Sequence, residues 1–224
     1  MLLKKTSQNY ADFRQKSILK LNNRQKHSFI GILLSPGSSM DSGIAYLNRD
    51  RELLKLDKFY KLEDLEISLK NHSDLESSVI FISIPEDYSL IDSKWKLNAK
   101  KTVLFNINEQ KKVKEKWLNR YSNRGTELIR ELKEMNCDIY RFDIKYLKMA
   151  FGLNTIFTNR SIHNCRCLQY MLKDKFGFTS LSKNMLPIAQ LEALLGAFAS
   201  YLIFQEKYNY KVLFNFNNIP VISI

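Results

Sequence analysis

Ten basic residues fall between positions 94 and 124: Lys94, Lys96, Lys100, Lys101, Lys111, Lys112, Lys114, Lys116, Arg120 and Arg124. Only Glu109 and Glu115 oppose them, and Trp95, Phe105, Trp117 and Tyr121 lie among them. Cations interleaved with aromatic rings suit a polyanion whose phosphates take the charge and whose bases stack on the rings. The same segment also reads as a solvated insertion whose aromatic residues turn towards the core. A second cluster, His163 to Cys167 (HNCRC), carries metal-binding residue types. No further ligand pair accompanies it at zinc-site spacing, so a structural role is expected and no metal site is assigned.

The whole chain shares the bias of that segment. Its 224 residues hold 35 Lys and Arg against 23 Asp and Glu, a formal charge of +12. That balance favours a nucleic acid or another anionic partner, although an A/T-rich genome that enriches Lys codons would produce it too. Apolar residues make up 45%, enough for a real core, and 7 Gly with 4 Pro argue against a long linker. Three cysteines (Cys137, Cys165 and Cys167) do not make a disulfide framework, and a reducing compartment is expected. No apolar run approaches the roughly 20 residues of a membrane helix, so no membrane span is expected. The expected location is intracellular, cytoplasmic or nucleoid-associated. Residues 1–28 are set apart as a basic extension, in which Lys4, Lys5, Arg14, Lys16, Lys20, Arg24 and Lys26 face Asp12 alone. An arm on nucleic acid, a transit peptide for organellar import and an amphipathic helix packed on the domain all fit that pattern.

The elements that must position these groups follow from periodicity. The apolar run 29–34 reads as a buried strand, "SPGSSMDSG" as a turn and 44–48 as a second strand. Residues 52–62 alternate imperfectly, as a third strand would. Apolar positions 62, 65 and 69 predict a helix, and 77–85 a buried strand stopped by Pro85. The basic segment, about 86–124, then interrupts the pattern as an insertion. A helix over 124–136, a strand over 137–143, a short helix ending near Gly152, a helix over 161–176 and a long apolar helix opened by Pro187 complete the order. The final stretches "KVLFNF" and "IPVISI" read as strand or packed tail. Hairpins first and β–α alternation afterwards predict an α/β fold over residues 29–224, a mixed sheet flanked by helices as in ribonuclease-H-like proteins.

Four stretches resemble the predicted ribonuclease-H-like nucleases catalogued as domain of unknown function 429. "FIGILLSPGSSMDSGIAYLN" is similar to the family's first hairpin, with its Gly-Ile-Asp strand and Gly-Ile-Ala return. "VIFISIPEDYSL" resembles its Ile-Asp-x-Pro strand. "RGTELIRELKEMNCDIYRFDIKYLKMAFGL" resembles its Arg-Gly helix and the strand after it, and "AQLEALLGAFASYLIFQ" its closing Asp-x-x-Asp-Ala helix. The resemblance implies acids at five strand and helix positions. The first-strand Asp falls on Leu33 and the second on Ser83, with Pro85 retained. A Glu of the strand after the Arg-Gly helix falls near Tyr140. In the last helix the two Asp fall on Ala189 and Glu192, and only Glu192 keeps a carboxylate.

Nucleases of this kind use two Mg²⁺ ions about 4 Å apart, held by bridging carboxylates. Leu33 and Ala189 offer no ligand and Ser83 a weak one, so no catalytic or metal-binding set is assigned and no cofactor is expected. Asp41, Glu86, Asp87 and Asp143 are the acids through which catalysis could have relocated, and Mg²⁺ belongs to that alternative only. The resulting expectation is a catalytically inactive domain that binds nucleic acid through the segment 94–124 and the basic N-terminus, or scaffolds a nucleic-acid-handling complex with a protein partner. An active nuclease with relocated acids and a pure protein-interaction module are the alternatives.

Overall fold

The computed structural model describes residues 26–35, 37–72, 75–84, 88–91, 94–97, 124–125, 127–135, 137–153, 160–216 and 219–224. β1 (Ser28–Leu33), β2 (Ser42–Asn48) and β3 (Leu53–Phe59) form an antiparallel meander. α1 (Leu62–Lys70) carries the chain to β4 (Ser78–Ile84), which lies parallel to β1 on its other side. β5 (Tyr88–Ile91) and β6 (Lys94–Leu97) pair with each other as a separate two-stranded sheet. Helical residues 127–134 (α2) lead to β7 (Asp138–Asp143), parallel to β4. α3 (Ile144–Ala150), α4 (Ile162–Asp174) and α5 (Ile188–Phe204) follow, and the hairpin of β8 (Lys211–Phe216) and β9 (Ile219–Ser223) closes the chain.

The main sheet has seven strands in the order β3-β2-β1-β4-β7-β9-β8. Its first five members, an antiparallel meander followed by two strands parallel to β1, give the mixed α/β sheet of a ribonuclease-H-like fold. The terminal hairpin, expected as strand or packed tail, extends that sheet through parallel pairing of β9 with β7.

Both faces of the sheet are covered, which is why β1 and β4 read as unbroken apolar runs rather than alternating ones. On one face Ile30, Ile32, Ile44, Ile80 and Ile82 meet Leu65 and Leu69 of α1 and Leu128 and Leu132 of α2. On the other, Phe29, Leu47, Val79, Phe81 and Phe142 meet α5, with Leu147 of α3 and Leu168 and Leu172 of α4 packed outside it. Sandwiched in this way, α5 is buried almost all round.

Local chemistry fixes the helix ends. Asp143 Oδ1 accepts the backbone N–H groups of Lys145 (2.9 Å) and Tyr146 (3.3 Å), starting α3 where β7 stops. Gly152, at φ +63°, ends α3 in the left-handed conformation that glycine takes without strain. Ser161 Oγ caps α4 through the Asn164 N–H at 3.1 Å.

Residues just before β1 are already part of this domain. The His27 N–H donates to Ser77 O at 3.1 Å, and the buried Lys26 ammonium is ion-paired with Asp138. Lys26, counted in sequence with the basic extension, is thereby held within the fold. Residues 1–25 lie outside the described residues.

Candidate functional site

The sheet register brings the expected acid positions together. Leu33 pairs with Gly43 of β2 on one side and with Ser83 of β4 on the other, and Ser83 pairs with Phe142 of β7. One rung therefore reads Gly43–Leu33–Ser83–Phe142. Its side chains share the α5 face, because residues two apart along a strand point the same way and Phe29, Phe81 and Tyr140 lie in that core.

α5 reaches this rung at unusually short range. A Cβ added to Gly43 would lie 2.0 Å from the carbonyl oxygen of Ala189, and one added to Gly31 would lie 1.9 Å from that of Ala193. The two glycines are what let the helix backbone descend onto β1 and β2. Ala189 is fully buried at the contact, and Glu192 follows one turn later. Tyr140 stands apart from the group. It pairs with Phe81, and its ring meets Phe81 and Phe204 in the aromatic core.

Glu192 is 2% exposed, and its Oε1 accepts a hydrogen bond from Lys148 Nζ of α3 at 2.5 Å. Burial pushes its carboxyl above the ordinary carboxylate range, while the charges of Lys148 and Arg160 pull it back. The other acids here are similarly engaged. Asp41 Oδ1 is ion-paired with Arg160 Nη1 at 2.9 Å, and Asp143 caps α3. Glu86 and Asp87 lie outside the described residues. Leu33 and Ala189 supply no donor atom, Ser83 supplies a neutral hydroxyl, and Glu192 faces an ammonium. That set does not fit a two-Mg²⁺ site, which needs several ionised carboxylates converging on each cation. Among the described residues no three His, Cys, Asp or Glu side chains are grouped so that they could hold a metal ion.

The HNCRC cluster lies in α4, where Cys165 packs in the core and Cys167 Sγ lies 3.8 Å from Met171 Sδ. Burial raises the Cys165 thiol, which makes it a packing group rather than a reactive one. Of the basic segment, Lys94 and Lys96 fall on β6, while Lys100, Lys101, Lys111, Lys112, Lys114, Lys116 and Arg120 lie outside the described residues. Arg124 donates through Nη2 to the carbonyl of Tyr60 at 2.5 Å, tying the start of the helix at 124 to the end of the meander.

The sequence contained only an indirect sign of Lys148. A single carboxylate in a helix as apolar as α5 requires a cation or a proton, but nothing in the residues around position 148 says that they supply it.

No protein-family model matches the chain, and no curated protein matches it. Among solved structures, it is similar to the structure of RuvC from Thermus thermophilus at 10% identity and TM-score 0.46, covering 78% of this chain and 94% of that one. It is also similar to T. thermophilus RuvC in complex with a Holliday junction substrate at 11% identity and TM-score 0.44, covering 79% and 94%. At those scores the fold assignment rests on strand order and register. No described helix is long and apolar enough to cross a membrane.

Proposed function

We propose that this chain is a ribonuclease-H-like domain that has given up two-metal nuclease chemistry and keeps a nucleic-acid-binding role, alone or within a nucleic-acid-handling complex. The observation that carries this reading is the Glu192–Lys148 pair. The one acid retained at the positions implied by the family resemblance is neutralised by an ammonium from the neighbouring helix. The same proposal includes the relation to the family of domain of unknown function 429. It is supported by the small residues of the resemblance, Gly31, Gly43 and Ala193, which lie at the close approach of α5 to the sheet. The charge of +12 supports the polyanionic partner.

A cleavage assay tests it. The chain is incubated with labelled single- and double-stranded DNA and RNA in Mg²⁺, in Mn²⁺ and in chelator, beside Glu192→Gln. No cation-dependent product is expected from either protein, while oligonucleotide binding persists and weakens with salt. Cleavage that requires the cation and disappears in Glu192→Gln or Asp143→Asn would instead establish an active nuclease with relocated acids.

A further inference from the structure

The helices on the two faces of the sheet carry opposite charge. α1 holds Glu63, Asp64 and Glu66 against Lys70, and residues 127–134 hold Glu127, Glu131 and Glu134 against Arg130 and Lys133. On the other face, α3 and residues 160–175 hold Lys145, Lys148, Arg160, Arg166, Lys173 and Lys175 against Asp174 alone. The basic side also exposes aromatic rings. Tyr146 of α3 is 48% exposed and Tyr170 of α4 is 66% exposed, with Met149 and Ile162 beside them in the same helices.

The two helices lie on the same side of the sheet. α3 and α4 both pack on α5. They meet where Lys175 Nζ donates to Phe151 O at 2.6 Å and the Phe151 and Phe176 rings lie 5.3 Å apart. Arg166 and Tyr170 are four residues apart and so share the outer face of α4.

Resting on the nucleic-acid reading above, we propose that the outer surface of α3 and α4 is a single-stranded nucleic-acid docking face, with Arg166 contacting phosphate and Tyr146 and Tyr170 stacking on bases. Charge complementarity selects the polyanion and selects this face over the acidic one. The exposed tyrosines select a single strand, because an unpaired strand offers its base faces for stacking and a duplex keeps them inside. Arg160 and Lys148 are balanced by Asp41 and Glu192, so the net positive charge of this surface comes from Lys145, Arg166, Lys173 and Lys175 against Asp174.

Fluorescence anisotropy of the full chain with labelled DNA and RNA oligonucleotides of roughly 20 nucleotides, single-stranded and duplex, tests this at low salt. Arg166→Ala combined with Tyr170→Ala should weaken single-strand binding about tenfold or more and flatten its salt dependence. Arg166→Lys with Tyr170→Phe should retain most of it, and Glu63→Gln with Glu131→Gln on the opposite face should not weaken it. Both altered side chains of α4 project outward, so an unchanged melting curve shows that the variant is folded. If the unaltered chain binds oligonucleotides and the double alanine variant binds equally well, this surface is wrong while the nucleic-acid reading stands. If duplex binds as tightly as single strand and Tyr170→Ala alone changes nothing, the single-strand assignment fails. If the unaltered chain binds no oligonucleotide, or binds only vesicles of anionic lipid, both readings fall together.

Discussion

The two faces of the sheet are built on different principles. Under α1 and α2 the core is formed mainly by Ile and Leu side chains with Tyr46 and Phe59, the buried Arg141 points to the same side as Ile139, and the outer surface is acidic. Under α5 the contact includes glycine against helix backbone, the core is rich in aromatic rings, an ion pair is buried in it, and the outer surface is basic. Side chains alone hold the first face together. The second holds because two glycines admit a helix and a lysine neutralises the carboxylate that helix carries. The buried carboxylate and the close backbone approach thus both lie on the side where the family resemblance locates its site.

Perturbations of that side should have the largest effects. Lys148→Met leaves the Glu192 carboxylate buried without its partner, so unfolding should be easier by about 3–5 kcal/mol at neutral pH, read by denaturant titration. The pH dependence of that deficit has a definite sign. Without Lys148, less opposes the desolvation that raises the Glu192 carboxyl. The folded state then takes up a proton at a pH where the unfolded chain does not. Stability recovers as pH falls and is lost as pH rises through the folded-state value. A deficit that is flat between neutral and acid pH would contradict this account of Glu192.

Next comes Gly31→Ala, whose added methyl would meet a backbone oxygen that cannot turn away. About 3 kcal/mol of destabilisation is expected. Gly37→Ala, with nothing within 4 Å, should stay within about 0.5 kcal/mol. Equal effects at the two glycines would mean that α5 does not need the notch. The smallest effect belongs to the acidic face. Burial raises the Glu131 carboxyl, and Glu66, Glu127 and Glu63 raise it further. Its charged form is therefore disfavoured in the fold, so Glu131→Gln should raise the melting midpoint slightly at neutral pH, by less than about 0.5 kcal/mol in stability. A fall in the midpoint would show that the acidic face carries an attraction rather than a repulsion.

Much of the fold was legible because periodicity is a local signal. The spacing of Leu62, Leu65 and Leu69 gave α1, and the apolar runs around Ile30 and Ile80 gave β1 and β4. β5 and β6 were missed because four-residue strands such as "YSLI" and "KWKL" are too short to show a period inside a basic segment. The candidate site rests on the family resemblance alone. Leu33, Ser83 and Ala189 fall where that resemblance implies acids, and the register brings Leu33 beside Ser83 with Ala189 against the neighbouring strand. What occupies the site could not be read. Lys148 lies 44 residues from Glu192, and Arg160 lies 119 from Asp41. Pairings at such separations depend on how α3 and α4 dock, which no local pattern encodes. Lys26 shows the same limit from the other side, since its neighbours in sequence are basic while its partner, Asp138, lies 112 residues away.

The glycine notches also constrain how the domain can move. Each step along an α-helix turns its surface by about 100°. Rotating α5 by one residue would therefore withdraw Ala189 and Ala193 from Gly43 and Gly31 and present Gln190 and Leu194, or Ile188 and Glu192, in their place. Such a helix can neither roll nor slide by small amounts on the sheet. Sheet and α5 are thereby locked in one register, and α3 in the outer layer is joined to them by the Asp143 cap at the end of β7 and by the tether from Lys148 to Glu192.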